Sequence, residues 1–129
     1  MKTKSSKPTA PFAYEGLDRV IHERARLSLL TSLITHPGGL SFVELKQLCD
    51  LTDGNLARHL QVLEEDGMVR LTKVADVGRA QTTARITASG RKRYLEYLTV
   101  LERVVRDAAA LKHEGEEDRL HRKLSPLTA

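Results

Sequence analysis

The chain has 129 residues, 40% hydrophobic and 29% charged, the proportions of a soluble globular protein with one core and too little chain for two. Only 4% of the residues are aromatic and none is Trp, so Leu, Val, Ile and Ala must build the core, which suits packed helices. A single cysteine, Cys49, excludes an intramolecular disulfide and a multi-cysteine metal cluster, and no apolar run is long enough to span a bilayer. The net charge of +4 is unevenly spread: residues 15–66 carry five Lys/Arg against nine Asp/Glu. Residues 67–93 carry Arg70, Lys73, Arg79, Arg85, Arg91, Lys92 and Arg93 against Asp76 alone. A field of one sign on so short a segment suits phosphate, although a solvated basic surface has the same composition.

Residues 1–14 are rich in Lys, Ser, Thr and Pro and read as a flexible basic arm. Their lysines come without an apolar stretch, which argues against a secretory signal and for a cytoplasmic location. The first helix is expected from Leu17 or Asp18, because Leu17, Val20, Ile21, Leu27, Leu30 and Ile34 recur at helical steps. It must end by His36, before Pro37 and Gly38-Gly39. Leu40-Ser41 is short but could pair as a third strand.

Ser41 with Glu44 three residues on is a capping-box pattern for a second helix, Phe42–Cys49. Phe42 or Val43, Leu45, Leu48 and Cys49 are assigned to its inner side, with Cys49 a small buried hydrophobe. The turn Asp50-Leu51-Thr52-Asp53-Gly54 follows. A third helix takes Thr52 or Asp53 as cap and ends at Gly67, with Leu56, Leu60 and Leu63 inward and Asn55, Arg58, His59, Gln61 and Val62 on other faces.

Beyond Gly67 the period changes to two, with Val69, Leu71 and Lys73 on one strand face and Met68, Arg70, Thr72 and Val74 on the other. A second strand runs from about Gln81 to Ile86 with Ala84 and Ile86 inward; Asp76-Val77-Gly78-Arg79-Ala80 connects the two, with Gly78 at a positive φ. Thr87 then caps a long helix with Arg91 to Lys112 as its body. Tyr94, Leu95, Leu98, Leu101, Val104, Val105, Ala108 and Leu111 form a stripe wider than one small domain needs. Residues 113–129 read as a polar, disordered tail, with a short helical piece around Asp118–Leu124.

The order helix, short strand, helix, helix, hairpin, helix resembles the winged helix-turn-helix transcriptional regulators, the group that includes the MarR-type and ArsR-type repressors. The resemblance rests on Asn55-Leu56-Ala57-Arg58-His59-Leu60 and Val62-Leu63-Glu64-Glu65-Asp66-Gly67-Met68-Val69, similar to the group's recognition helix running into a strand. Gly78-Arg79 looks like a wing tip, and Ile86-Thr87-Ala88-Ser89-Gly90-Arg91 looks like the junction of strand and last helix. The match covers roughly residues 15–112, and the closest likeness is to compact single-domain members.

The resemblance implies an α+β, mostly α, winged helix fold over residues 15–112, ending in a dimerisation helix. The third helix would enter a major groove, with Thr52, Asn55 and Arg58 the leading contacts. Arg can read guanine, Asn adenine, and Thr can hold a phosphate. Asp53, which would repel phosphate, is assigned to capping, and His59 is divided between core and backbone contact. Arg79 at the wing tip would meet phosphate or a minor groove, with Lys73 and Arg85 beside it on phosphates. Excess apolar surface on the last helix, with part of the first, implies a two-fold dimer through Leu17, Ile21, Leu98, Leu101, Val105 and Ala108.

The expected function is a sequence-specific transcription regulator that binds double-stranded DNA as a homodimer. The rival reading is a winged helix protein-interaction scaffold, which the acidic balance of residues 15–66 favours slightly. The metal ligands of ArsR-type sensors have no counterpart, since Cys49 stands alone and His113 and His121 lack ligand spacing. No metal, cofactor or small-molecule effector is assigned. No nucleophile–base arrangement or Gly-rich phosphate loop suggests an enzyme.

Overall fold

The structure, a computed structural model, describes residues 10–76 and 78–124. Its elements are α1 (Arg24–Ile34), β1 (Leu40–Ser41), α2 (Phe42–Cys49), α3 (Asp53–Glu65), β2 (Val69–Asp76), β3 (Arg79–Ile86) and α4 (Ala88–Leu124). They fall into two compact units, Gly16–Tyr97 and a second that joins residues 10–15 with residues 98–124. The fold is a winged helix, mostly helical, with a small antiparallel sheet of order β1-β3-β2.

The first helix starts later than its apolar spacing predicts. Leu17 to His22 form turns, held by Asp18, whose Oδ1 accepts from the Val20 and Ile21 amides at 2.9 and 3.4 Å. Glu23 is extended, with φ −153° and ψ 133°, and its carboxylate accepts from the Arg26 amide, so α1 begins at Arg24. Asp18 thus satisfies a turn that periodicity alone cannot distinguish from a helix start.

The start of α2 follows the expected local chemistry. Ser41 Oγ accepts from the Glu44 amide at 3.1 Å and the Glu44 carboxylate accepts from the Ser41 amide at 2.8 Å, a complete capping box. Leu45 and Cys49 are buried; of the alternatives Phe42 and Val43, Phe42 is half-buried and Val43 is 58% exposed, and Leu48, assigned inward from the sequence, is 57% exposed. Only the side of α2 that carries Leu45 and Cys49 is therefore used by the core.

Ile21, Leu29, Leu30, Leu33, Leu45, Leu56, Leu60, Leu63 and Met68 are essentially sealed from solvent. Burying each is worth about 1.5–3 kcal/mol, and together they make one core beneath the sheet. Tyr97, which the sequence reading omitted, is 1% exposed, and its hydroxyl lies 2.6 Å from His22 Nδ1. Tyr94 is also buried, with its hydroxyl 2.7 Å from Thr31 Oγ1.

The hairpin pairs further than expected. Val69 faces Ile86, Leu71 faces Ala84, and the ladder continues to Asp76 opposite Arg79, leaving only positions 77 and 78 as the loop. Gly78 has φ +78°, as its place in the turn demands, and Val77 lies outside the described residues. β1 pairs with β3 through Leu40–Ala84 and Ser41–Thr83, so the two-residue strand does form a third sheet member.

Thr87 joins sheet to helix by accepting from the Gly90 amide at 2.9 Å while donating to the Gly67 and Met68 carbonyls. α4 then runs past Lys112 to Leu124, longer than the expected body. In the second unit Tyr14 donates to the Asp107 carboxylate of α4, and Phe12 packs on Tyr14 with ring centroids 6.2 Å apart. No described helix is long and apolar enough to cross a membrane.

Candidate nucleic-acid interface

The link between α2 and α3 is built by residues that tolerate a sharp reversal. Asp50 ends α2 in the left-handed region at φ +54°, a conformation that Asp accepts more readily than most side chains. Thr52, extended, then caps α3 by accepting from the Asn55 amide at 3.2 Å. The cap is therefore Thr52, and Asp53 occupies the first turn, 3.0 Å from Lys46 on α2. Both partners of that ion pair are well exposed, so it orients the helix start more than it stabilises it.

One side of α3 is used by the core and the other is left open. Leu56, His59, Leu60 and Leu63 are buried; Thr52, Asn55, Arg58 and Gln61 are exposed. Arg58 Nη2 donates to Asn55 Oδ1 at 3.2 Å, which joins two of the predicted base-reading side chains in the free protein. Gln61 Nε2 donates to Glu65 Oε2 at 3.2 Å one turn on, extending the same polar side. Gln61 was visible in the sequence only as one more non-core position.

His59 does not belong to this surface. It is 6% exposed, and its Nδ1 lies 3.2 Å from Arg26 Nη1 and 3.8 Å from Glu23 Oε1. A guanidinium can only donate, so Nδ1 accepts and the ring is neutral, with its proton on Nε2. Burial first, then the cations Arg58 and Arg26, hold the imidazole below its usual value against the opposing pull of Glu23. Of the two readings of His59, core or DNA backbone, its burial fits the first: the ring ties α3 to the start of α1.

On the hairpin, Lys73 and Arg85 are exposed, while the Arg79 side chain lies outside the described residues. Arg70 stands directly opposite Arg85 across β2 and β3. Neither makes an ion pair among the described residues, and Arg85 Nε donates only to the Gly38 carbonyl at 3.2 Å. Two like charges face to face weaken a sheet slightly, so the pair favours an anion nearby.

Arg93 leaves the basic footprint altogether. Its Nε and Nη2 donate to Asp18 Oδ2 at 3.1 and 2.8 Å, and its Nη1 meets Asp66 Oδ2 at 2.6 Å and the Asp66 carbonyl at 3.2 Å. Counting charges along the sequence placed it in a basic segment suited to phosphate or to solvent, and the fold commits it to two aspartates.

Of the expected dimer residues, Ile21 is fully enclosed by its own domain and cannot meet a second chain without unfolding, and Leu17 is half-buried. On α4, Leu98 and Leu101 are partly exposed, Ala108 is exposed, and Val105 is 61% exposed. Leu98, Leu101, Glu102, Val105, Arg106 and Ala109 line an open groove. Among the described residues no group of three or more His, Cys, Asp or Glu could hold a metal.

A helix-turn-helix whose second helix keeps an open polar face, followed by a hairpin carrying cations, defines the winged helix class of DNA-binding folds. The family described as winged helix DNA-binding domain matches residues 25–105, and the chain belongs to it. An uncharacterized protein of Methanocaldococcus jannaschii is 36% identical over 83 residues, covering 62% of this chain and 86% of that one. A transcriptional regulator homologue from Pyrococcus horikoshii OT3 superposes with a TM-score of 0.65 at 29% identity, over 69% of this chain and 87% of that one. The crystal structure of MarR matches with a TM-score of 0.63 at 24% identity, over 83% and 76% of the two chains, a likeness of fold.

Proposed function

We propose that this protein is a transcription regulator that reads double-stranded DNA as a homodimer, with α3 in the major groove and the hairpin on the backbone or minor groove. The observation that carries the reading is the exposed face of α3, where Arg58 and Asn55 are already joined and no core contact needs them. Thr52 keeps its hydroxyl hydrogen free for a phosphate while its oxygen caps the helix. Lys73, Arg79 and Arg85, with Arg70 added from the strand register, supply the attraction.

The dimer reading is supported by the apolar side of α4. Glu102 and Arg106 lie one turn apart along the groove, so a two-fold antiparallel contact sets each glutamate against the partner's arginine. Leu98, Leu101, Val105 and Ala108 fill that contact in the proposed dimer.

Selection of bound duplexes from a random pool tests the whole proposal, with a palindrome as the expected product. If the dimer neutralises about eight phosphates, log K falls with log salt at a slope of about −7. Light scattering should give a dimer that Val105→Asp converts to a monomer. Loss of DNA binding in Arg58→Ala and Arg79→Ala with the fold retained supports the regulator. Unchanged behaviour supports a protein-interaction scaffold.

A further inference from the structure

We infer that Arg93 is a positioning residue for DNA recognition, fixing the C-terminal end of α3 to α4 without touching DNA itself. The inference rests on the DNA-binding reading above. Arg93 lies in the second turn of α4 and is half-buried, with 30% of its side chain exposed. Asp66, which it grips through both carboxylate and carbonyl, is the C-cap residue of α3. Asp18, its other partner, is itself fixed by the Val20 and Ile21 amides, and its backbone carbonyl accepts from the His22 amide at 2.8 Å. One planar guanidinium therefore spans three segments that are distant in the chain: the turn before α1, the end of α3 and the start of α4.

The placement matters because α3 is held differently along its length. Its N-terminal half, which carries Asn55 and Arg58, is open on one side. Its middle is tied to α1 through His59 and Arg26, and its end is tied to α4 through Asp66 and Arg93. A rigid helix packed through Leu56, Leu60 and Leu63 and tied at middle and end presents the open side of its N-terminal half at a fixed angle. Releasing the end lets that half swing, and base contacts tolerate displacement far less than phosphate contacts do. Lys cannot replace Arg here, since one ammonium cannot fork between two carboxylates.

The test uses the full chain and the duplex recovered by selection. Arg93→Gln should weaken binding to that duplex about tenfold, leave binding to a scrambled duplex within about twofold, and keep the salt slope unchanged. Arg93→Lys should fall between wild type and Gln. Tyr94→Phe serves as the stability control, because it removes the hydroxyl bond to Thr31 one residue along the same helix; it should leave the ratio of specific to non-specific affinity intact. A parallel loss on both duplexes, or a salt slope smaller by about one, overturns the inference, the second outcome meaning that Arg93 touches phosphate. If the wild type binds no duplex, the DNA reading fails and hydrogen exchange decides the clamp: faster exchange of residues 64–68 in Arg93→Gln than in Tyr94→Phe supports it, and equal exchange overturns it.

Discussion

Two helical glycines in this fold should respond in opposite directions to the same substitution. A Cβ built on Gly90 would lie 2.2 Å from the Met68 carbonyl oxygen and 2.9 Å from its carbon and Cα, where ordinary contact begins at 3.4 Å. All three atoms are backbone, so no rotamer change relieves the clash; α4 must retreat from Met68 by about 1 Å. That carbonyl accepts from the Thr87 amide at 2.9 Å and from Thr87 Oγ1 at 3.1 Å, and the retreat stretches both bonds. Overpacking costs about 1–3 kcal/mol and a compromised hydrogen bond about 1 kcal/mol, against a helix-propensity gain for Ala of about 1 kcal/mol. Gly90→Ala should therefore destabilise by about 2 kcal/mol, or about 8–16 °C in melting temperature. A Cβ on Gly54 meets nothing within 4 Å, so Gly54→Ala should stabilise by about 0.5 kcal/mol. Urea unfolding followed by far-UV circular dichroism measures both. A Gly90→Ala protein within about 0.5 kcal/mol of wild type would refute the argument that α4 meets the Met68 backbone there.

Acid should weaken the fold in two stages. Burial lowers His59 below its ordinary 6.5, so the unfolded chain takes up that proton first and stability begins to fall below about pH 6.5. Burial pushes the Asp18 and Glu23 carboxyls up, but Arg93 and the backbone amides at Asp18, and chiefly the Arg26 amide at Glu23, leave both below their ordinary 3.8 and 4.5. Their contribution is complete above those values and is lost as pH falls through the lower folded ones. Unfolding free energy measured across this range should decline at each stage, and His59→Gln should remove the upper one alone. Ser41→Ala, which breaks the capping box, should cost about 1 kcal/mol in the same urea assay. Leu48→Gln should change stability by less than about 0.5 kcal/mol, because the side chain is 57% exposed; a core-sized loss would restore its inward assignment.

The elements legible in the sequence are those whose boundaries are set by neighbours. Ser41 and Glu44 define the start of α2 through two bonds three residues apart, and Thr52 caps α3 through one bond over the same spacing. Gly67 and Gly78 adopt positive φ where the helix end and the hairpin require it. The misplaced features depend on partners far along the chain. Leu17, Val20 and Ile21 have helical spacing, yet Asp18 and Glu23 use their side chains to make a turn and a delayed cap. Leu48 is apolar and helical, but only the side of α2 that carries Leu45 and Cys49 is buried. His59 stayed divided between core and DNA backbone, and Arg93 was counted with the basic segment, because the partners that fix them, Arg26 and Asp18, lie 33 and 75 positions away.

Reassigning Arg93 redistributes the electrostatic work along the second half of the domain. Asp18 and Asp66 belong to the acidic stretch, and they share a single cation, Arg93, counted on the attractive side. The contrast between the two halves is therefore smaller in the folded protein than in the sequence. What remains is local: Arg70 and Arg85 face each other on the hairpin, and Lys73 lies further along β2. Opposed arginines of this kind cost a few tenths of a kcal/mol in the free sheet, and a bound phosphate reverses the sign. Arg70→Ala should then raise the stability of the free protein slightly while reducing the salt slope of DNA binding by about one. A lower stability with an unchanged slope would mean that Arg70 supports the sheet and leaves the phosphates to Lys73, Arg79 and Arg85.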